Sequence, residues 1–93
     1  MHDKRDWMAL WAIADCYDQM KRPRMALRYY SRALRFVPAN PALSYNRANA
    51  HIDLRQYPEA VSELQRISTR DVELRRKVRK NLQLARRMAR QPS

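Results

Sequence analysis

The sequence aligns with itself at an offset of 34 residues. Trp11 falls on Tyr45, Ala14 on Ala48, Cys16 on Ala50, Tyr17 on His51, Ala26 on Ala60 and Tyr30 on Leu64, so small residues meet small ones and bulky residues meet bulky ones. A period of this length marks a unit of supersecondary structure that cannot bury its apolar face alone and must stack on a neighbour. Within each half, apolar residues recur three and four apart and proline punctuates the breaks, which is the pattern of two successive helices. The spacing predicts helices over 5–20, 23–36, 41–54, 58–67 and 71–90. Asn40 before Pro41 supplies a side-chain acceptor for orphan amides, followed by a first helical residue with preset φ. Pro23 and Pro58 open the second helix of each half, Pro38 stops the helix before it, and Ser68 with Asp71 has the spacing of a capping box.

The small residues have a mechanical role. Ala14 with Ala26, and Ala48 with Ala60, let paired helices approach closely while Tyr17 and Tyr30 fill the space beside them. Leu10, Ile13, Tyr17, Tyr29, Tyr30, Leu34 and Phe36 recur at helical spacing and are expected in the core. Cys16 is expected on the face that packs against the next helix, as a buried and inert thiol, and His51 at a packing position.

Residue usage narrows the function. With 20 Lys and Arg against nine Asp and Glu, the formal charge is +11. Such a surface attracts nucleic acid, anionic lipid or acidic protein, and charge by itself does not choose among them. A single cysteine forms no internal disulfide, so a reducing, cytoplasmic setting is expected. No apolar run has the length of a signal peptide or a membrane span. The chain carries no glycine at all, hence no glycine-rich phosphate loop, and no nucleophile motif or metal-spaced His, Cys and carboxylate set. We therefore expect no enzyme activity, no cofactor and no metal.

Leu10, Ile13, Ala14, Tyr17, Ala26, Tyr30, Ala33 and Pro38 stand at the spacing of the tetratricopeptide repeat signature, and the chain resembles that family. The resemblance covers 68 of the 93 residues, as a first repeat over 7–40 and a second over 41–74. The second keeps Tyr45, Asn46, Ala48, Asn49, Ala50, Tyr57, Glu59 and Ala60 but drifts at Arg47, His51, Ile67 and Val72. Residues 71–90 are similar to the family's solvating helix, with Val78, Leu82 and Ala85 as its apolar stripe. The implied fold is an all-α, right-handed helical-repeat solenoid, about five helices in antiparallel helix-turn-helix pairs, forming a single domain over 1–93. The family commonly places glycine between its paired helices, where Lys21 and Arg55 stand here. A left-handed backbone at those positions costs a non-glycine residue about 1 kcal/mol, so a tighter or differently shaped turn is expected. Two repeats and a cap are few for a stack, which leaves a partner, self-association or further repeats to add stability.

In this family the first helix of each repeat lines a concave groove, and the resemblance assigns Trp11, Asp15, Tyr45, Asn46 and Asn49 to it, with Arg76, Arg79 and Lys80 from the last helix. Met8, Asp18, Ile52 and Asp53 would share that surface. Members that clamp an acidic peptide carboxylate use Lys and Asn in the first repeat, where this chain has Trp11 and Asp15, whereas Asn46, Arg76 and Lys80 match. The implied function is a protein-interaction scaffold taking an acidic or amphipathic segment of another protein. Two readings compete with it. Trp11 and Tyr45 could simply cover the edge of the core. Residues 70–90, with nine Lys or Arg against Asp71 and Glu73, could instead make the chain a nucleic-acid-binding accessory protein.

Overall fold

A computed structural model describes residues 6–91. Among these there are five helices and no strand: α1 (Asp6–Gln19), α2 (Pro23–Leu34), α3 (Pro41–Asp53), α4 (Tyr57–Arg66) and α5 (Val72–Arg90). His2 and residue 5, where the first predicted helix begins, lie outside the described residues. Each helix packs on the next in the chain, and α5 also touches α3. The described body measures 46 × 30 × 19 Å, a stack longer than it is thick.

The helix starts follow local chemistry. Asn40 caps α3, its Oδ1 accepting from Leu43 N at 3.0 Å, and Pro41 follows as the first helical residue. Pro23 is the first residue of α2, whereas α4 begins one residue ahead of Pro58. The cap of α5 is Asp71 alone, with Oδ1 accepting from Leu74 N at 3.2 Å. Ser68 is not part of it, because α5 begins at Val72 and Asp71 N donates to Thr69 Oγ1 at 3.2 Å.

The alanines do what their size permits. Ala14, Ala26, Ala48 and Ala60 are fully buried, so the crossings α1–α2 and α3–α4 close on methyl groups. Tyr30, Leu43 and Leu64 are the largest fully buried side chains, each contributing about 1.5–3 kcal/mol of transfer free energy. Tyr17 stacks on Tyr29 with ring centroids 5.6 Å apart, and Arg32 lies over the Tyr29 ring at 5.3 Å. His51 is half-buried, its Nδ1 paired with Gln56 Oε1 at 2.8 Å.

Four further expectations fail. The turns between paired helices are left-handed after all, with φ of 62° at Lys21 and 61° at Arg55. Both close by the same pair of bonds. Arg22 N donates to Tyr17 O at 2.9 Å and Lys21 N to Asp18 O at 3.0 Å, while Gln56 N donates to His51 O at 2.8 Å and Arg55 N to Ile52 O at 2.9 Å. These bonds satisfy the orphan carbonyls at the ends of α1 and α3, and the backbone accepts the strain to make them. Cys16 is exposed, as are Ile13 and Phe36. Cys16 and Ile13 correspond to Ala50 and Arg47, which lie on the α2 side of α3, and among the described residues no helix packs on the matching side of α1.

Arg47, one of the four positions where the second half drifts from the family pattern, has partners that account for it. Its Nε and Nη2 donate to Glu63 Oε1 and Oε2 at 2.6 and 2.7 Å, and its Nη1 reaches Ser31 Oγ at 3.4 Å. A bidentate charge pair therefore replaces an apolar ridge and ties α3 to both α2 and α4.

Candidate functional site

The candidate face is built from one side of α1, α3 and α5. On α3, Tyr45 and Asn49 are one helical turn apart and project together. Across from them, Asn81 of α5 donates through Nδ2 to Tyr45 Oη at 3.1 Å and to Asn49 Oδ1 at 2.5 Å. That bridge joins α3 to α5 and fixes which side of α5 shares a surface with Tyr45. Tyr45, Asn46 and Asn49 are all half-buried.

Helix geometry then sorts the basic residues of α5. At 3.6 residues per turn, Lys77 and Leu84 lie within about 60° of Asn81, on the side away from Val78, Leu82 and α4, and Lys80 lies about 100° round on that same side. Arg76 and Arg79 lie about 140° and 160° from Asn81. Arg79 accordingly lines a cleft with Ile67, Thr69 and Val78 at the α4–α5 turn. Arg76 makes an exposed pair with Glu73 at 3.6 Å. Lys80 thus lies to one side of the Asn81 bridge to Tyr45 and Asn49, and Arg76 and Arg79 lie toward the back of α5.

Asn81, Lys77 and Leu84 are the residues that sequence reasoning missed. The signal was present at a different offset. Asn81 follows Asn46 by 35 residues, and Val78, Leu82 and Ala85 follow Leu43, Arg47 and Ala50 by the same interval, so α5 repeats α3 one residue out of register with the first period.

On α1, Asp15 is not a free carboxylate. Tyr30 Oη donates to its Oδ1 at 2.5 Å, linking α2 to α1. Burial first, and then this bond to Asp15, hold the Tyr30 phenol protonated far above the usual tyrosine range. Trp11 is half-buried, stacked on Trp7 with centroids 6.0 Å apart, and packed against the core cluster. Among the described residues its indole N–H is buried with no hydrogen-bond partner. Trp11 therefore supports the edge of the core as well as bordering the candidate face.

The end of the face nearest the two left-handed turns is acidic. Partial desolvation, and then the Asp18 carboxylate, raise the pKa of Asp53 above the ordinary value, and Lys21 opposes them. These three groups belong to the ends of α1 and α3, so the two helices present their last turns side by side. The face runs from carboxylates through aromatic and amide groups to the ammonium groups of Lys77 and Lys80. Among the described residues, no cluster of three or more His, Cys, Asp or Glu could hold a metal ion, and no helix is long and apolar enough to cross a membrane.

Helix pairs closed on alanine and stacked in chain order define a helical-repeat protein. The tetratricopeptide repeat profile matches residues 19–79, about two thirds of the sequence, and the chain belongs to that family. Its repeats generally mediate protein–protein interactions, and the family is generally a non-catalytic scaffold. No curated protein and no solved structure matches the chain.

Proposed function

We propose that this chain is a small adaptor that binds an acidic or amphipathic segment of another protein across the face formed by α1, α3 and α5. The repeats would occupy 7–40 and 41–74, with 71–90 as the cap, in a single cytoplasmic domain. Tyr45, Asn46 and Asn49 form the floor, Trp11 and Asp15 one wall, and Lys80 with Lys77 the other. The observation that supports the reading is the Asn81 bridge to Tyr45 and Asn49, which joins the basic helix α5 to an aromatic and amide surface. Tyrosine supplies contact area at low entropic cost, the amides satisfy a partner backbone, and the lysines orient acidic residues and speed encounter.

One observation favours nucleic acid as a second reading. Arg76, Arg79, Arg86 and Arg90 are exposed along the back of α5. Such a stripe could neutralise successive phosphates, with binding that weakens steeply in salt.

Charge reversal at exposed positions separates the two. Pulldowns from native lysate, with and without nuclease, would compare wild type, Lys77→Glu/Lys80→Glu and Arg76→Glu/Arg79→Glu. A nuclease-resistant protein partner lost only with the lysine pair supports the groove. Signal that vanishes with nuclease and with the arginine pair makes the back of α5 the working surface.

A further inference from the structure

We infer that the exposed side of α1 opposite α3 is a second docking surface that takes one amphipathic helix with an acidic rim from another protein. It is distinct from the groove and does not depend on it. The interface that α2 makes with α3 sets the pattern. Leu43 and Ala50 are fully buried in the cluster shared with α2, and Arg47 reaches Ser31. Moved back by 34 residues, those positions are Ala9, Cys16 and Ile13, and Met20 continues the same stripe. All four are exposed, Ile13 at 40% and Met20 at 55%. The residue types remain those of a stacking interface, with no Asp, Glu, Lys or Arg among them. The surface thus continues the geometry of an interface already present one repeat along, and what fits there is a helix offering the ridge that α2 offers α3.

The chemistry of the occupant follows from the rim. Beside Ala9 and Leu10 a cleft of about 420 Å³ is bordered by Asp6, Phe36, Arg32 and Arg35. Two guanidinium groups against the one carboxylate of Asp6 leave this rim net positive, which favours a helix with carboxylates beside its ridge. A second copy of this chain is a poor occupant. Its formal charge of +11 repels a like molecule, and the exposed side of its last helix is rich in Lys and Arg rather than apolar.

The single cysteine reports on this surface, because Cys16 takes the place of the buried Ala50. The probe is a peptide copying residues 23–37, held helical by a hydrocarbon staple on its outer side and carrying Arg24→Glu, Arg28→Glu, Arg32→Glu and Arg35→Glu. Alkylation of Cys16 in the full chain, followed by mass spectrometry, should slow about tenfold at a peptide concentration about ten times its dissociation constant. Protection should be lost in Ile13→Asp and in Ala9→Glu, two exposed positions where substitution leaves the fold intact by circular dichroism. It should persist in Lys77→Glu/Lys80→Glu, so failure of the groove would not remove it. Absence of protection at saturating peptide overturns the inference, as does equal protection by the parent peptide with its four arginines. Cys16 already shielded in concentrated chain alone, with dimer in sedimentation, also overturns it by making a second copy the occupant.

Discussion

Replacing Arg55 by glycine should stabilise the protein, and the expected gain can be worked from its backbone. At φ 61° the Arg55 side chain pays for a left-handed conformation that closes the end of α3 through Gln56 N and His51 O. That conformation costs a residue with a Cβ about 1–2 kcal/mol. Glycine removes the clash but brings about 0.5–1 kcal/mol of extra unfolded-state entropy. The net gain is about 0.5–1 kcal/mol. A chain of this length has an unfolding entropy near 0.2 kcal/mol/K, taking about 2.1 cal/mol/K per residue, so Tm rises by about 3–5 °C. Loss of the cation near a helix C-terminus works against this by a few tenths of a kcal/mol, and moderate salt screens it. Arg55→Ala is the control, since alanine loses the same charge and keeps the Cβ. Reversible thermal and urea unfolding followed by far-UV circular dichroism would compare all three proteins. If Arg55→Ala matches Arg55→Gly, or if glycine lowers Tm, strain at this turn is not what limits stability and the reasoning is refuted.

Three further outcomes are expected. Arg47→Leu alone should cost about 2–3 kcal/mol, because Glu63, only 12% exposed, loses its partner. Adding Glu63→Leu should recover most of that in urea melts. Tyr30→Phe should cost about 1–2 kcal/mol by removing the donor to Asp15, with native helicity retained in circular dichroism. Asp53 has a folded pKa raised above its unfolded one, so its stabilising effect is present at acidic pH and lost as pH rises through the folded pKa. Asp53→Asn should therefore raise Tm at neutral pH and flatten the pH dependence just above the ordinary carboxylate range, as read from melts across that window.

The stack was legible in the sequence because its causes are local and periodic. Ala14, Ala26, Ala48 and Ala60 declare close crossings by their size, and Asn40 with Pro41 declares a helix start. What the sequence hid depends on neighbours. The 34-residue offset treats Cys16 and Ala50 as equals, yet among the described residues only Ala50 has a helix in front of it, so an identical periodic signal yields one exposed residue and one buried one. Arg47 looked like a departure from the family pattern until Glu63, 16 residues on, was seen to satisfy it. Lys21 and Arg55 suggested a different turn because strain was weighed without the two backbone bonds that the left-handed residue secures at each site. The resemblance named Arg76, Arg79 and Lys80 without fixing the register of α5. The Asn81 bridge fixes it, at an offset of 35 rather than 34 residues from Asn46, and one residue turns a helix by about 100°.

That single step in register separates two surfaces on one helix. Had α5 kept the 34-residue period, Arg76 and Arg79 would stand over Tyr45, and the groove and the basic stripe would be the same place. With the shift, Lys77 and Leu84 lie on the Asn81 side of α5, Lys80 beside them, and Arg76 and Arg79 on the far side. The distinction is chemical as well as geometric. Lysine is a flexible point charge that tolerates many acidic arrangements, whereas the arginine guanidinium is a planar fork suited to bidentate carboxylate or phosphate contact. The groove side of α5 thus favours an adaptable contact with partner carboxylates, steered by a field that runs from the carboxylates of Asp18 and Asp53 to the ammonium groups of Lys77 and Lys80. A segment lying across that field has one favoured direction, with its acidic residues over α5. Reversing the order of charges in a bound peptide while keeping its composition should therefore weaken binding more at low salt than at high salt, because the orienting term is screened within about 10 Å at 0.1 M. An equal loss at both salts would place the discrimination in packing against Tyr45 rather than in the field.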